Sequence, residues 1–431
     1  MQKNDPKIIR AWTFYDWANS VYPLVISSAV FPIFYESKTS FKENGVTIYD
    51  QISFLGLHFK NTEFYAYLVS LSYIVVALLA PVLSGIADYS GSKKKFLQVF
   101  CLIGGISSSL LYFFQPLKTS VGIPVQLGIT ILPLFFASIG YWGSIVYYNA
   151  YLPEIADPEH HDRISARGFA MGYFGGALLL ILILVLTPRV LSYNAGFILV
   201  GIWWIGFAQL TFRRLPNTQR KHKKEGHIWK MGFLEFGKVL QDIRKRTALK
   251  RYLASYFMFN MAVQTVMIMA TAFANKEVHG IKTEDLIISI LLIQFLGIAG
   301  SFLFSRLSEK IGNIITLGIA IFIWILLCIG VYAWVYFPWQ FYIAAAFVGL
   351  VMGGIQSTAR STYSKMLPET EDHASYFSFF DVSEKIGLAI GTFSFGFIEG
   401  MFNIRSSVLA LIFFFTLGFL LLLRVGALKK E

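Results

Sequence analysis

Asp16, Arg360, Asp381, Glu384 and Lys385 are ionisable side chains set inside long apolar runs. At membrane depth each costs several kcal/mol unless it is paired or wetted, so such residues mark ion routes, solute contacts or internal salt bridges. Asp16 has Asn19 three residues on, on the same helical face. It is a candidate proton or cation site, or a contact for a substrate amine; the plainer alternative is an interfacial carboxylate paired with a basic neighbour such as Arg10. Asp381 and Lys385 stand at i, i+4 and can neutralise one another, which leaves Glu384 without an evident local partner. Gln356 and Arg360 share a face. The Arg360 guanidinium can grip a substrate carboxylate through two parallel hydrogen bonds, or reach to the membrane surface.

Uncharged polar groups extend this set. Asn19 and Tyr22, then Tyr141, Ser144, Tyr148 and Asn149, then Asn260 and Gln264, form short polar-aromatic stripes at helical spacing. Together with Gln356 and Arg360 they are the candidate solute contacts, although stripes of this kind also hydrogen-bond one span to another. Asp16 is the first candidate for proton coupling and Glu384 the second, with Asp381 and Lys385 beside them. Gly168, Gly172 and Gly176 form a ladder that allows close helix packing.

Other chemistries are disfavoured. The seven histidines all fall in polar segments between the apolar runs, and no HExxH, GxSxG or GxxxxGK[ST] pattern occurs. No metal or cofactor is expected, and any pumping must draw on a gradient rather than on ATP held by this chain. Cys101 and Cys328 lie in apolar runs as packing residues.

The elements that must position these groups are membrane spans. The 431 residues are 55% hydrophobic and 14% charged, with a mean hydropathy of +0.58, far from a soluble average. Windows of about twenty apolar residues place spans at 11–35, 63–87, 96–115, 122–149, 167–187 and 192–212, then at 252–274, 285–305, 314–336, 338–359, 376–398 and 403–424. The first run is too long for a signal-peptide core and no cleavage site follows it. Residues 36–62 form a long loop in which Val46 to Phe59 suggests a small hairpin.

Between spans 2 and 3 lies the stretch GIADYSGSKKKF, Gly85 to Phe96. Gly85 and Gly91 read as turn glycines, Asp88 as the acid of the turn, and Lys93, Lys94 and Lys95 as the basic marker of its side of the membrane. The stretch returns weakly as Ser305, Glu309 and Gly312. Leu152 to Glu154 recurs as Leu367 to Glu369, and Arg10, Tyr15 and Asn19 recur as Arg251, Tyr256 and Asn260. These matches indicate a duplicated half. Segments on the side of the termini hold 28 lysines and arginines and those on the other side 8, which predicts cytoplasmic termini. Within 213–251, thirteen basic residues face three acids. Trp229, Phe233, Phe236, Leu240 and Ile243 recur there at helical spacing, so an amphipathic helix is expected on the inner surface, against anionic lipid heads; nucleic acid is not an expected partner.

Twelve spans in two sets of six, with a charged linker and a basic glycine turn, resemble the major facilitator superfamily over essentially the whole chain. The turn resembles that family's gate signature, with Tyr89 and Ser92 where an Arg often stands and the positive charge moved to Lys93–Lys95. RAWTFYDWANSVY (Arg10 to Tyr22), YYNAYLPEIADPEHHDRISARGFAMGYFGG (Tyr147 to Gly176) and GGIQSTARSTYSKMLPE (Gly353 to Glu369) further resemble its autophagy-related, vacuolar amino-acid effluxer-like branch. The resemblance implies an all-α fold of two pseudo-symmetric six-helix bundles with spans 1, 4, 7 and 10 lining a central cavity. It also implies solute transport, with amino acids exported by the vacuolar members.

The expectation is therefore a non-enzymatic secondary transporter. Residues 1–212 and 252–431 form the bundles and 213–251 the linker; protons and a small solute are the partners. A monomer is expected in a bacterial cytoplasmic membrane, or a vacuolar one if the source is eukaryotic. A lipid or lysolipid flippase on the same fold is the nearest alternative, and a non-transporting receptor or scaffold is the alternative of another class.

Overall fold

The computed structural model describes residues 3–43, 46–187, 192–217 and 228–427; the side chains of Val46, Ile228, Trp229, Met231 and Ala427 also lie outside the described residues, Trp229 of the expected linker stripe among them. Helix α1 runs Pro6–Thr39, longer at both ends than its apolar run. It is followed by α2 (Asn61–Ser90), α3 (Lys93–Leu110), α4 (Leu132–Ala150), α5 (His161–Leu186) and α6 (Tyr193–Arg214). Helix α7 (Ile228–Lys245) leads into α8 (Thr247–Glu277), α9 (Thr283–Ile311), α10 (Asn313–Trp334), α11 (Pro338–Met366), α12 (His373–Met401) and α13 (Ile404–Ala427). Among the described residues eleven helices are long and apolar enough to cross a membrane. Helix α12, which carries Asp381, Glu384 and Lys385, packs against α2, α8 and α13 as the twelfth, and together they form a multi-pass integral membrane protein of two six-helix bundles, α1–α6 and α8–α13. An even number of crossings leaves the start of α1 and the end of α13 on one face, here the terminal face.

Why these residues form helices is a matter of solvent. In hydrocarbon every backbone group must be satisfied inside its own segment, and runs rich in Leu, Ile, Phe and Ala achieve this as helices. Helices of 29 to 31 residues such as α8, α9, α11 and α12 are ~44–47 Å long. That exceeds the ~30 Å hydrocarbon core, so their polar ends stand in the headgroup layers.

Helix α1 is not regular. Pro23 has no N–H to donate back to Asn19, and the helix widens into a π-helical stretch over Tyr22–Ala29 before resuming at Val30. Asn19 and Tyr22 therefore flank a break in the backbone ladder. On the face opposite the termini, β1 (Phe41–Glu43) pairs antiparallel with β2 (Val46–Tyr49). There β3 (Gln51–Phe54) pairs with β4 (Leu57–Lys60) and takes β5 (Val125–Gln126) in parallel on its other edge. The β3–β4 turn places Leu55 and Gly56 at φ of 51° and 83°, the left-handed pair a two-residue hairpin needs.

Within the first bundle α4 packs on α2 and α3, and α1 on α5 and α6; in the second, α9 packs on α11 and α8 on α12 and α13. The halves meet through two related helix pairs, α2 with α12 and α5 with α9, and through α5 with α11 and α4 with α12. Helix α7 lies against α2, α8 and α12. Cys101 and Cys328 are buried and unbridged.

Candidate functional site

Arg360 projects from α11 into a box built by the other half. Its Nε donates to Ser165 Oγ at 2.9 Å and its Nη2 to the Ser165 carbonyl at 2.9 Å. Nη1 reaches Asn149 Oδ1 at 3.2 Å and Asp16 Oδ2 at 3.3 Å. The guanidinium lies over Phe169 at 4.2 Å and Trp12 at 4.9 Å. Tyr148 donates to the same Asp16 oxygen at 2.6 Å, and Trp12 stacks on Tyr148 at 4.4 Å. Arg360 is 3% exposed and Asp16 6%. Asp16 thus pairs with Arg360, not with Arg10, because α1 and α11 meet here and Arg10 is an exposed residue nearer the helix end. In this state Arg360 neither reaches to the surface nor has a free fork for a carboxylate.

A glycine ladder makes room for that box. A methyl group at Gly168 would stand 2.4 Å from Asp16 Oδ2 and 2.8 Å from Arg360 Nη2; at Gly172 it would meet Ser20 Oγ at 2.4 Å, and at Gly176 Leu24 at 3.2 Å. The steps of four on α5 match Asp16, Ser20 and Leu24 on α1, so the two helices run side by side in register.

Nearer the terminal face the halves are stitched at two further points. Asp88, near the end of α2, accepts from the Ser375 N–H at 2.7 Å, the Ser375 hydroxyl at 2.7 Å and the Ala374 N–H at 3.2 Å. It thereby caps the N-terminus of α12 across the bundle interface, where a carboxylate suits the helix dipole. Lys93 is fully buried; it lies 3.6 Å from Asp88 and donates to Glu154, which also meets His373 Nδ1 at 3.2 Å. The matching point uses Asp162 at the start of α5. Asp162 accepts from Asn313 at 2.6 Å, Ser308 at 3.0 Å and Lys365 at 2.5 Å, all from the other half.

Two readings of the basic turn need correction. Gly85 is not a turn residue: it sits inside α2, where an added methyl would stand 2.3 Å from the Gly232 carbonyl oxygen of α7. Gly91 alone terminates the helix, at φ 65°. The three lysines also divide. Lys93 is in the buried network, Lys94 donates to the Leu215 carbonyl beyond α6 at 2.8 Å, and Lys95 is exposed. In the second half Glu309, the repeat partner of Asp88, is exposed; the acid comes from Asp162 instead.

A second polar cluster lies on α12 and α8. Glu384 accepts from Gln264 Nε2 at 2.6 Å and from the Tyr256 hydroxyl at 3.3 Å, so it has partners one helix away that spacing along α12 does not reveal. Lys385 donates to Asp381 Oδ1 at 2.5 Å and sits 3.7 Å over the Trp142 ring of the other half. The second Asp381 oxygen is buried without a hydrogen bond.

The remaining candidates divide. Gln356 accepts from Tyr173 at 2.8 Å across the interface. Tyr22 stacks on Tyr141 at 5.1 Å, and Ser144 donates back to the Tyr141 carbonyl. Asn19 and Asn260, repeat partners in α1 and α8, are both buried with the amide nitrogen unpaired. Ser165, Asp162, Tyr173 and Trp142 were not among the predicted residues. The first three sit inside the quoted Tyr147 to Gly176 motif, and only their polarity within it could have singled them out.

All these cross-half contacts lie within ~18 Å of the helix ends at the terminal face, counting 1.5 Å per residue. An apolar crevice lined by Val76, Leu83, Phe100, Gly143 and Tyr147 opens within the first bundle, not between the halves.

The profile of the vacuole effluxer Atg22-like family matches residues 4–431. The chain is 29% identical to the uncharacterised MFS-type transporter YxiO of Bacillus subtilis (strain 168), covering 98% of this chain and 95% of that one. It is 24% identical to autophagy-related protein 22-1 of Penicillium rubens, over 88% and 78% of the two chains. The human organic anion transporter MFSD10 has the same fold, with a TM-score of 0.76 at 10% identity over 98% of this chain and 100% of that one. So does the Escherichia coli fucose:proton symporter FucP, with a TM-score of 0.69 at 15% identity over 97% of each.

Proposed function

The chain belongs to the vacuole effluxer Atg22-like family of major facilitator transporters, and we propose that it moves a small polar solute, an amino acid or a related metabolite, by proton-coupled alternating access. It is a transporter and not an enzyme. The proposed orientation puts both termini, and the stitched face, in the cytoplasm, following the excess of basic residues there. The state described is then closed to the cytoplasm.

The observation that carries this reading is the one-sided joinery. Charged and polar groups from both bundles converge on a single face, and a rocking cycle requires bonds that form on one side and are exchanged for others. Asp16, Arg360, Asp88 and Asp162 act in it as latches. Glu384 is the proposed proton carrier: its hydrogen bonds come from neutral Tyr256 and Gln264, so a proton can come and go without breaking an ion pair. Asn19 and Asn260, with unpaired amides, are the proposed solute donors. FucP is by its description a proton symporter, which is a precedent for the fold and no more.

Liposomes containing the protein, with an imposed pH gradient, are to be offered amino acids, dipeptides and lysolipids. Gradient-driven movement of an amino acid is expected. Movement of lysolipid alone would replace this reading with the flippase.

A further inference from the structure

Helix α7 has two faces with different tasks. Its inner face joins both bundles at the stitched end. Gly232 crosses Gly85 of α2 at backbone contact. Phe236 stacks on Phe379 of α12 at 5.0 Å, and Asp242 accepts from Tyr376 of α12 at 2.5 Å. Val239 and Ile243 are buried on the same side. The expected stripe is thereby split, because Phe233 points the other way.

The outer face shows Lys230, Phe233, Leu234, Lys238, Gln241 and Lys245, a continuous exposed row at helical spacing. Phe233 is 58% exposed and Leu234 47%. Depth explains two apolar side chains among lysines. Gly232 meets Val82 and Gly85, ~8–12 Å inward from the end of α2, whereas Asp242 meets Tyr376 only ~4.5 Å inward from the start of α12. Helix α7 therefore slants from the rim of the bundle into the level where headgroups meet acyl chains. At that level lipid is the solvent that suits exposed Phe233 and Leu234, and lysines on the same face, Lys238 with Glu235 at 3.1 Å among them, are within reach of a phosphate layer.

We propose that the outer face of α7 binds the anionic headgroups of the adjoining leaflet and that this binding holds the α7 clasp shut across the terminal face. The charge complementarity is direct: α7 exposes Lys230, Lys238, Arg244 and Lys245, whereas its two acids are partnered, Glu235 by Lys238 and Asp242 by Arg246 and Tyr376. Opening that face separates α2 from α12, so α7 must leave one of them. Its contact with α12 is the smaller, an aromatic stack and one hydrogen bond, and is the one expected to part. Lipid that binds the docked helix better than the released one shifts that equilibrium. The consequence for transport rests on the alternating-access reading above; the binding and the clasp do not.

The test uses the full-length protein with spin labels at Gln241→Cys on α7 and Glu369→Cys ahead of α12, in a background with Cys101 and Cys328 replaced by Ala. Distances are measured in phosphatidylcholine vesicles with and without phosphatidylglycerol, with no solute and no pH gradient, so failure here is separable from failure of the transport reading. Phosphatidylglycerol is expected to raise the ratio of docked to released helix at least about five-fold, the shift that surface attraction of a single lysine allows. Lys230→Gln, Lys238→Gln and Lys245→Gln together should abolish that response, and the three Arg replacements should restore it. Inorganic phosphate in phosphatidylcholine vesicles should not substitute for the lipid. The proposal is overturned by one ratio in both vesicles, by an unchanged response in the triple Gln variant, or by full substitution by phosphate.

Discussion

Asp16 and Arg360, 344 residues apart, form one buried ion pair that joins the two bundles, with an Nη1 to Oδ2 distance of 3.3 Å. Its energetics follow from its isolation from water. A buried pair is worth little against an apolar substitute, yet removing one partner strands the other charge. Arg360→Gln and Asp16→Asn are each expected to destabilise the closed state by about 3–5 kcal/mol. The double variant should recover a large part of that loss. Thermal unfolding in detergent, read as a double-mutant cycle, checks it; additive losses would mean that the residues do not interact.

Gly168 tests the same pair from its neighbour. An alanine methyl at this position would stand 2.4 Å from the Asp16 carboxylate oxygen, and the side-chain ends it meets, of Asp16, Arg360 and Tyr148, are bonded to one another, so they yield only by breaking the latch. Gly168→Ala is expected to disrupt the latch nearly as strongly as Asp16→Asn, while alanine at Gly206, where no atom lies within 4 Å, should be silent. Melting temperatures of the two alanine variants decide it.

Asp88 supplies the cap of α12 from the opposite bundle. Asp88→Ala removes that cap, worth ~1.4 kcal/mol, and leaves Lys93 with Glu154 alone. Alkylation of a cysteine at Ser361, buried on the terminal side, should then quicken about ten-fold. An unchanged rate would show that the cap does not hold the face shut.

The clasp also carries a pH dependence with a definite sign. The hydrogen bond from Arg246 Nε, at 2.5 Å and from the same segment, holds the Asp242 carboxyl below its ordinary value; burial opposes it, and the Tyr376 hydroxyl of α12 and the Lys245 charge add to the lowering. Arg246 stays with Asp242 when α7 parts from α12, so the docking-dependent part is the Tyr376 hydrogen bond, which an ionised carboxylate accepts best. That contribution is present while Asp242 is ionised and is lost as pH falls through its docked pKa. Docking of α7 should therefore be flat between about pH 6 and 8 and loosen only in acid. The Gln241–Glu369 label distance measures it, and loosening on going alkaline would have the wrong sign.

Much of the architecture was legible because its cause is local. Apolar runs of membrane length report helices directly, and the recurrence of Arg10, Tyr15 and Asn19 as Arg251, Tyr256 and Asn260 reports the second bundle. Ionisable residues at depth singled out α1, α11 and α12, whose side chains the structure joins to other helices. What stayed hidden was partnership. Nothing in spacing links Asp16 to Arg360 or Glu384 to Gln264, since these meet only after helices far apart in sequence have packed. Gly85 was misread for the same reason: next to a charged turn a glycine suggests the turn, and its use here is set by Gly232, 147 positions on. Asp162 shows that the second junction between the halves takes its acid from the facing helix, with side-chain donors in place of the backbone cap at Asp88.

Glu384 bears most of the weight of the coupling proposal, and one experiment addresses it. Proteoliposomes loaded with a pH-sensitive dye are given the transported solute, for the wild type and for Glu384→Gln, and dye response is recorded alongside exchange of labelled solute. The wild type should move protons with solute. Glu384→Gln should lose the proton signal while still exchanging solute for solute. Solute movement by the wild type without any dye response, or an undiminished proton signal in Glu384→Gln, would contradict the account.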